Sequence, residues 1–533
     1  MVETACVRTP VNSNRLWNCL DGYAERLSVC RGFKHGFRLG VGMPGAPRRT
    51  YVSTTARANN DEAFHAKMTV ELSNNRIIGP FDNLPANVFV SPLYIIPKST
   101  PGKFRLIHNL SSPRGGSVND RIDQSMRTVT YCSVLDVASF LTDRQDGGVW
   151  YMAKVDLKDA YRCVPIHRED WQYLGMQYQA KFYVDTCLPM GCSSSCFIFN
   201  SVSNALRWAF EKQWPDCKMF NYLDDFLILA SSAEQCNKAL QSFISMLDFI
   251  GFPVSKEKTI APHTNVEFLG ICIDSVTMSF MVPQSKAMKS ISDIDEFMSH
   301  RSRRVHSIQK LVGKLTFLCT TFLAGKCLLA SLYQQLQGVL SSEGWHWKRT
   351  TPGVRVDLCA WKLFLQESGG KPFRFIFPGS APSHALATDA SGSYGYGAQM
   401  GVLWFSGQWD SSWWPSQNIV LLELYPVYVA LQLWKKQLSN SVLALKTDNI
   451  ALVSILTDFY SRNKLINSLV KLCVNVLMDH NIVLRVEHIA GIDNIVPDRL
   501  SRGLDCAQYL ADEHCCRIPA ALLPAGVSML LQD

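Results

Sequence analysis

Seven carboxylates in this chain stand in settings where an acid is costly unless it does chemistry. Asp156 ends the apolar run Val149-Trp-Tyr-Met-Ala-Lys-Val-Asp156, and Asp224-Asp225 interrupt the apolar stretch from Lys218 to Ala230. An Asp-Asp pair is ordinarily a solvated turn. This one is flanked by Phe220, Tyr222, Leu223, Phe226, Leu227 and Ile228, and burying two carboxylates there without a cation is expensive. The pattern predicts a β-hairpin whose tip carries Asp224 and Asp225, held beside the strand that ends in Asp156. Nucleotidyl transfer uses two divalent cations about 3.5–4 Å apart. Magnesium, with manganese as the alternative, takes oxygen ligands of the kind these acids supply.

A second set is spread over the C-terminal part. Asp389 closes a strand and is followed by Ser391-Gly392 and the alternating Gly395 and Gly397; Glu423 lies in an apolar helix, Asp448 closes another strand, and Asp498 opens a late helix. Taken alone, Glu423 reads as a helix residue facing a salt-bridge partner. Four acids scattered this widely meet only in a folded site, where they can hold two metals for phosphodiester hydrolysis. His488 alone reads as a surface histidine, but its place ten residues before Asp498 favours proton transfer or product release.

The residues around these acids resemble a known family. Tyr222-Leu-Asp-Asp225 is similar to the Tyr-x-Asp-Asp box of reverse transcriptases, and the companions stand in that family's order. Lys154-Val-Asp-Leu-Lys-Asp-Ala-Tyr161 resembles the first palm motif, Leu188-Pro-Met-Gly191 the template- and nucleotide-positioning loop, and Lys258 with Phe268-Leu-Gly270 the motifs that close the palm. Lys98 and Arg105, each an ordinary surface residue if read singly, resemble the fingers pair that grips the incoming triphosphate. The resemblance implies Asp156 and Asp224 as main ligands of two Mg2+ ions, Asp225 as their support and Lys258 as proton donor to pyrophosphate. Met190, Gly191 and Tyr222 become substrate-contacting positions. Tyr161 becomes the ring that excludes ribose, with a packing role in the palm as the alternative. Thr388-Asp-Ala-Ser, Glu423-Leu, Thr447-Asp-Asn449, His488, Asn494 and Pro497-Asp-Arg-Leu-Ser-Arg502 resemble ribonuclease H, implying two more metals there. Gly102-Lys-Phe-Arg-Leu-Ile-His-Asn-Leu-Ser111, Ser117-Val-Asn-Asp120 and Leu188-Pro-Met-Gly-Cys192 resemble the DIRS-like retrotransposons, which integrate with a tyrosine recombinase. Retroviral and LTR-element enzymes usually carry Val-Asp-Tyr-Arg where this chain has Ile107 to Leu110.

These acids need elements to position them. The expected fold is an α+β right-hand polymerase with fingers, palm and helical thumb, followed by an α/β ribonuclease H-like domain. Residues 1–65 read as a leader with one or two short helices, 66–283 as fingers and palm, 284–345 as thumb, 346–380 as connector, 381–505 as the ribonuclease H-like domain and 506–533 as a tail. A helical stretch around Glu71 leads into two β-rich runs, at Val88–Pro92 and Leu93–Pro97, and a turn at Pro101-Gly102 joins the second to Phe104–Ile107. The basic cluster Arg301, Arg303, Arg304, Lys310 and Lys314 is expected on thumb helices, either gripping the phosphates of a template–primer duplex or facing water.

Of 533 residues 47% are hydrophobic and 18% charged, which excludes disordered and fibrous classes; the formal charge of +8 is compatible with a polyanionic partner. The 18 cysteines form no disulfide framework, and Cys187, Cys192 and Cys196 read as small packing residues. Cys506, His514, Cys515 and Cys516 have zinc-ligand chemistry without paired CxxC spacing. No run reaches the roughly 20 apolar residues of a membrane span, and no secretory leader is evident. A soluble intracellular protein is expected, with RNA and DNA template–primer, RNA–DNA hybrid and deoxynucleoside triphosphates as partners. Two other readings remain: a host nucleic-acid-binding scaffold that has retired its catalysis, and a fragment of a polyprotein.

Overall fold

The computed structural model describes residues 8–42, 61–85, 87–97, 102–143, 148–339, 344–377, 380–410, 414 and 416–527. The chain divides into two compact units, Met1–Leu269 and Gly270–Asp533.

The first unit is built on an antiparallel sheet of four strands in the order Lys218–Tyr222, Asp225–Ala230, Tyr151–Asp156 and Ile260–His263. Phe226 to Ala230 are buried without interruption, as in a strand covered on both faces. Helices Ser195–Gln213 and Ala233–Ile250 contribute to the same core, among them Phe199, Leu206, Phe243 and Leu247. The second helix is capped by the Ser232 side chain, which accepts from Gln235 N, and ends at Gly251 with φ 101°. The expected leader is part of this core: helices Ser13–Cys19 and Arg26–His35 supply Leu16, Val29 and Phe33, and Asn12 N donates to Ile250 O at 2.7 Å.

The fingers side of this unit has helix Asp61–Ser73, which starts within the expected leader, and a sheet ordered Ile77–Phe81, Lys181–Asp185, Gly175–Tyr178. The hairpin pairs Leu93–Pro97 with Phe104–His108, Leu93 opposite His108; Pro101 in its expected turn lies outside the described residues. The run Val88–Pro92 differs from expectation. It makes one isolated bridge, Val90 to Gly175, while Phe89 N and Ser91 N donate to Gln172 O and Gly175 O. Pro92 brings no N–H with which to extend a ladder.

The second unit begins with antiparallel strands Ile271–Asp274, Ser279–Met281 and, later in the chain, Pro372–Arg374. Helices Gln284–Met298, Val305–Leu318 and Ala330–Leu336 occupy the expected thumb. Arg303 and Arg304 are not helical: they lie in Ser302–Arg304, a short strand paired with Trp347–Arg349, because that pairing supplies backbone partners ahead of the Val305 helix. The expected connector contains a 17-residue helix, Pro352–Ser368, with Thr351 accepting from Val354 N and Trp361 fully buried.

The rest of the unit is a five-stranded sheet ordered Leu403–Gln408, Gly395–Met400, His384–Ala390, Ser441–Thr447, Ile482–His488. The first three strands are antiparallel, and the last two join in parallel. Helix Ile419–Leu438, buried almost all round, packs on it with Lys464–Asp479. This mixed order, with helices on the sheet, is the α/β arrangement expected for this part of the chain. Among the described residues no helix is long and apolar enough to cross a membrane.

Candidate active sites

The first acidic set meets through strand register. Asp156 lies opposite Asp225, and Tyr222 pairs with Asp225 across a tight turn made by Leu223 and Asp224. Leu223 has φ 53°, a region uncommon outside glycine, and its carbonyl accepts from Ser203 Oγ at 2.8 Å. Leu157 N donates to Asp224 O at 3.1 Å, which ties the tip to the end of the Asp156 strand. Burial, then the charges of Asp156 and Asp225, raise Asp224 to about 6. Asp225 is raised mainly by burial, against the pull of Lys154. Lysines engage two of the three acids: Lys258 Nζ donates to both Asp156 oxygens at 3.0 and 2.9 Å, and Lys154 Nζ lies 3.3 Å from Asp225 Oδ1. Burial opposes the charge of Lys258, but its bond to Asp156 raises its pKa nonetheless.

Around the acids, Tyr161 is half-buried and stacks on Phe199, centroids 5.0 Å apart and planes 13° apart; its hydroxyl donates to Cys196 Sγ at 3.4 Å. Tyr222 packs on Tyr131 at 4.8 Å. Gly191 has φ +124°, and a Cβ there would lie 2.0 Å from His108 O, so only glycine fits the loop against the fingers strand. His108 N donates to Met190 O at 2.8 Å. Arg105, Met190, Asp159 and Arg162 line one cleft. Lys98 lies outside the described residues.

Sequence reasoning missed Arg162. It is buried, donates from Nη1 and Nη2 to both oxygens of Asp185 at 2.9 and 2.8 Å and from Nε to Glu71 at 3.0 Å. Burial works against its charge; Asp185 and then Glu71 more than offset this and raise its pKa. The network ties the turn bearing Tyr161 to the helix of Glu71 and to the approach of the Leu188–Gly191 loop. Arg162 follows Tyr161 in an otherwise apolar stretch, Ala160 to Val164, and that buried-charge signal was available.

The second set also converges. Oxygens of Asp389, Glu423 and Asp448 lie within 4.8 Å of one another, the one metal-competent group of this kind among the described residues. Burial raises Glu423 to about 9, with Asp389 and Asp448 adding to it, and its Oε2 is buried without a hydrogen-bond partner. Asp389 is raised to about 6, chiefly by burial, while Ser501 Oγ donates to its Oδ2 at 2.5 Å. Asp498 lies in the first turn of helix Ile495–Ser501 and accepts from Arg502 Nε at 2.7 Å. Gly397 makes room for that helix: a Cβ there would lie 2.3 Å from Leu500 Cβ. His488 ends strand Ile482–His488, and its Nε2 lies 3.2 Å from Asp448 O. Cys506 packs against Leu500 and Leu510, and Cys516 Sγ receives Trp434 Nε1 at 3.4 Å, so both thiols serve packing.

An orphaned, buried carboxylate oxygen among mutually repelling acids fits a hard divalent cation such as magnesium in the second site. The palm acids are carboxylates of the same kind, but Lys258 and Lys154 neutralise Asp156 and Asp225 here, and a cation would have to displace those contacts.

Residues 96–273 match the family model described as reverse transcriptase (RNA-dependent DNA polymerase). The chain is similar to the Gag-Pol polyprotein of avian leukosis virus subgroup A (isolate RSA), 26% identical over 286 residues, which cover 52% of this chain and 16% of the relative. It is also similar to that of avian reticuloendotheliosis virus, 24% identical over 314 residues, 57% of this chain and 26% of the relative. The chain thus spans between a sixth and about a quarter of the length of these relatives. Among solved structures, a foamy viral protease-reverse transcriptase in complex with double-stranded DNA matches with a TM-score of 0.50 at 15% identity, covering 89% of this chain and 81% of that one. Over residues 96–273 the chain thus carries the sequence pattern of a reverse transcriptase domain and is similar there to retroviral Pol polyproteins.

Proposed function

We propose that the chain is an RNA-directed DNA polymerase with a second site that cleaves the RNA strand of an RNA–DNA hybrid, and that it serves replication of a DIRS-like retrotransposon. The observation that carries the reading is two carboxylate clusters, each built on its own sheet and each with carboxyls pushed above their ordinary range. Shifts of this kind concentrate at functional sites. The solved relative's double-stranded DNA supports nucleic acid as the partner.

In the polymerase site Asp156 and Asp224 would hold the metals, with Asp225 behind them. Bound magnesium would supply charge neutralisation at the attacking 3′ oxygen and at the departing pyrophosphate. Arg105, with Lys98, grips the triphosphate. Met190 and Gly191 orient template and nucleotide, Tyr222 packs beside the primer end, and Tyr161 bounds the sugar. Lys258 stays protonated beside Asp156 and is the proton donor to the leaving group. In the second site Asp389, Glu423, Asp448 and Asp498 would hold the metals, and His488, tethered to the Asp448 carbonyl, moves the proton or clears product.

Asp224→Asn is expected to abolish primer extension on an RNA template while leaving hybrid cleavage within about twofold, and Glu423→Gln to do the reverse, since removing one ligand of a two-metal site costs orders of magnitude in rate. Loss of both activities from either substitution in a folded protein contradicts the reading. A wild-type chain that binds hybrid but performs neither reaction is instead a retired scaffold.

A further inference from the structure

The two-stranded ribbon Ser302–Arg304 and Trp347–Arg349 contributes no residue to either carboxylate set. Its register places Ser302 opposite Arg349, Arg303 opposite Lys348 and Arg304 opposite Trp347. Bonds from Val305 N to His346 O and from His306 N to Gly344 O, both 2.9 Å, continue the pairing. Side chains alternate between the faces of such a ribbon. The inner face is tied down: Lys348 Nζ donates to Gln335 O at 2.7 Å and Arg303 Nε to Phe297 O at 2.8 Å. The outer face presents Arg304, Trp345, Trp347 and Arg349, all exposed.

Trp345 is 68% and Trp347 62% exposed. Leaving two indoles in water forgoes the burial that would stabilise the fold, so packing does not account for them. The Arg304 guanidinium lies over the Trp347 ring, 5.4 Å from its centroid. Residues 299–310 and 344–356 include no Asp or Glu, and Arg301 adds a further exposed cation beside the ribbon. Aromatic faces interleaved with cations of one sign match a single-stranded nucleic acid, whose bases are free to stack while its phosphates meet arginine. A duplex hides its base faces.

We propose that this ribbon binds single-stranded nucleic acid, with bases stacked on Trp345 and Trp347 and phosphates on Arg301, Arg304 and Arg349. The inference deepens the reading of the chain as a template-copying enzyme and rests on it, since such an enzyme meets unpaired template.

The test uses the full chain in EDTA, so that binding is read without catalysis. Fluorescein-labelled oligo-dT and oligo-rU and a hairpin duplex of the same length are titrated by anisotropy. The double substitution Trp345→Ala/Trp347→Ala is expected to weaken single-strand binding by roughly tenfold or more, with duplex binding within about twofold and the salt slope unchanged. Trp347→Phe alone keeps most of the affinity. Arg304→Ala/Arg349→Ala is expected to lower the salt slope by roughly one unit per lost phosphate contact. Unchanged melting by circular dichroism accompanies these results, because the side chains point outward. Wild-type single-strand affinity in the tryptophan variant overturns the proposal, as does an equal loss on the hairpin. So does a shift from dimer to monomer in sedimentation with oligonucleotide binding intact, which makes the ribbon a self-association face. Tryptophan-dependent binding in a wild-type chain that extends no primer leaves this inference standing and removes the polymerase reading; active extension with no tryptophan dependence does the opposite.

Discussion

At the scale of single residues, environment decides what each acid and ring can do. Glu423 is buried among Asp389 and Asp448 and raised to about 9, so at neutral pH it carries a proton that a metal must displace. Because the folded pKa is raised, the stability this group contributes to the metal-free fold is full below the ordinary carboxylate range and is lost as the pH climbs through about 9. Metal affinity runs the other way. In an Asp224→Asn background that quiets the palm, Mn2+ affinity measured calorimetrically should rise between about pH 6 and 9, by up to about tenfold per unit, with proton release. A flat profile rules out Glu423 as a protonated ligand. Tyr161 is held from behind by Phe199, and its hydroxyl by Cys196, which fixes the ring in one orientation. Tyr161→Val should raise ribonucleotide incorporation by tens-fold while deoxynucleotide use falls modestly, on the scale of about 1–3 kcal/mol of steric discrimination. An unaltered sugar preference in single-nucleotide extension, with lowered stability, returns the ring to a packing role.

At the scale of elements, both sites depend on segments that carry none of their acids. Arg162 fastens the Tyr161 turn to Glu71 and Asp185, and the helices at 13–35 complete the core behind the palm. The C-terminal segment does comparable work in the second unit. Cys516 N donates to Trp404 O at 2.7 Å on the outer strand of the sheet, Tyr425 OH to Leu522 O at 2.7 Å and Trp414 Nε1 to Pro524 O at 2.9 Å. This covers a strand edge that would otherwise offer itself for pairing, and it gives two aromatic donors their acceptors. A chain ending at Leu504 should lose about 2–5 kcal/mol of stability in this unit, since it gives up hydrogen bonds worth about 0.5–1.5 kcal/mol each and the burial of Cys506, Leu510 and Val527. Hydrogen exchange should quicken in Ile419–Leu438 and Leu403–Gln408 while Tyr151–Asp156 is unaffected; unchanged protection of the helix would show the segment to be dispensable.

At the scale of the whole molecule, the two units each enclose their own carboxylate cluster. This is why substitutions in one cluster are expected to leave the other chemistry intact. Neither cluster comes from a single segment of the chain. The palm acids come from two strands joined through register, and the second set from two strands and two helices. Local stability in either unit can therefore change an activity without touching an acid.

The sequence by itself determined the acids and most of the elements that carry them. A carboxylate at the end of an apolar strand is a local anomaly, so Asp156, Asp224 and Asp389 stood out in the sequence, as did the hairpins and the alternating Gly395 and Gly397, whereas Glu423 gained meaning only beside the other acids of its set. Tertiary structure alone decided what depends on partners distant in the chain. The extended form of Ser302–Arg304 depends on Trp347–Arg349, the membership of residues 13–35 in the palm core on a surface formed mainly by residues 150–252, and the charge of Arg162 on Glu71 and Asp185. Val88–Pro92 has strand-forming residues, but its N–H groups find Gln172 and Gly175 instead of a ladder. Propensity and periodicity report a residue's own backbone preference, whereas hydrogen-bond pairing and charge neutralisation are settled only when the distant partner arrives.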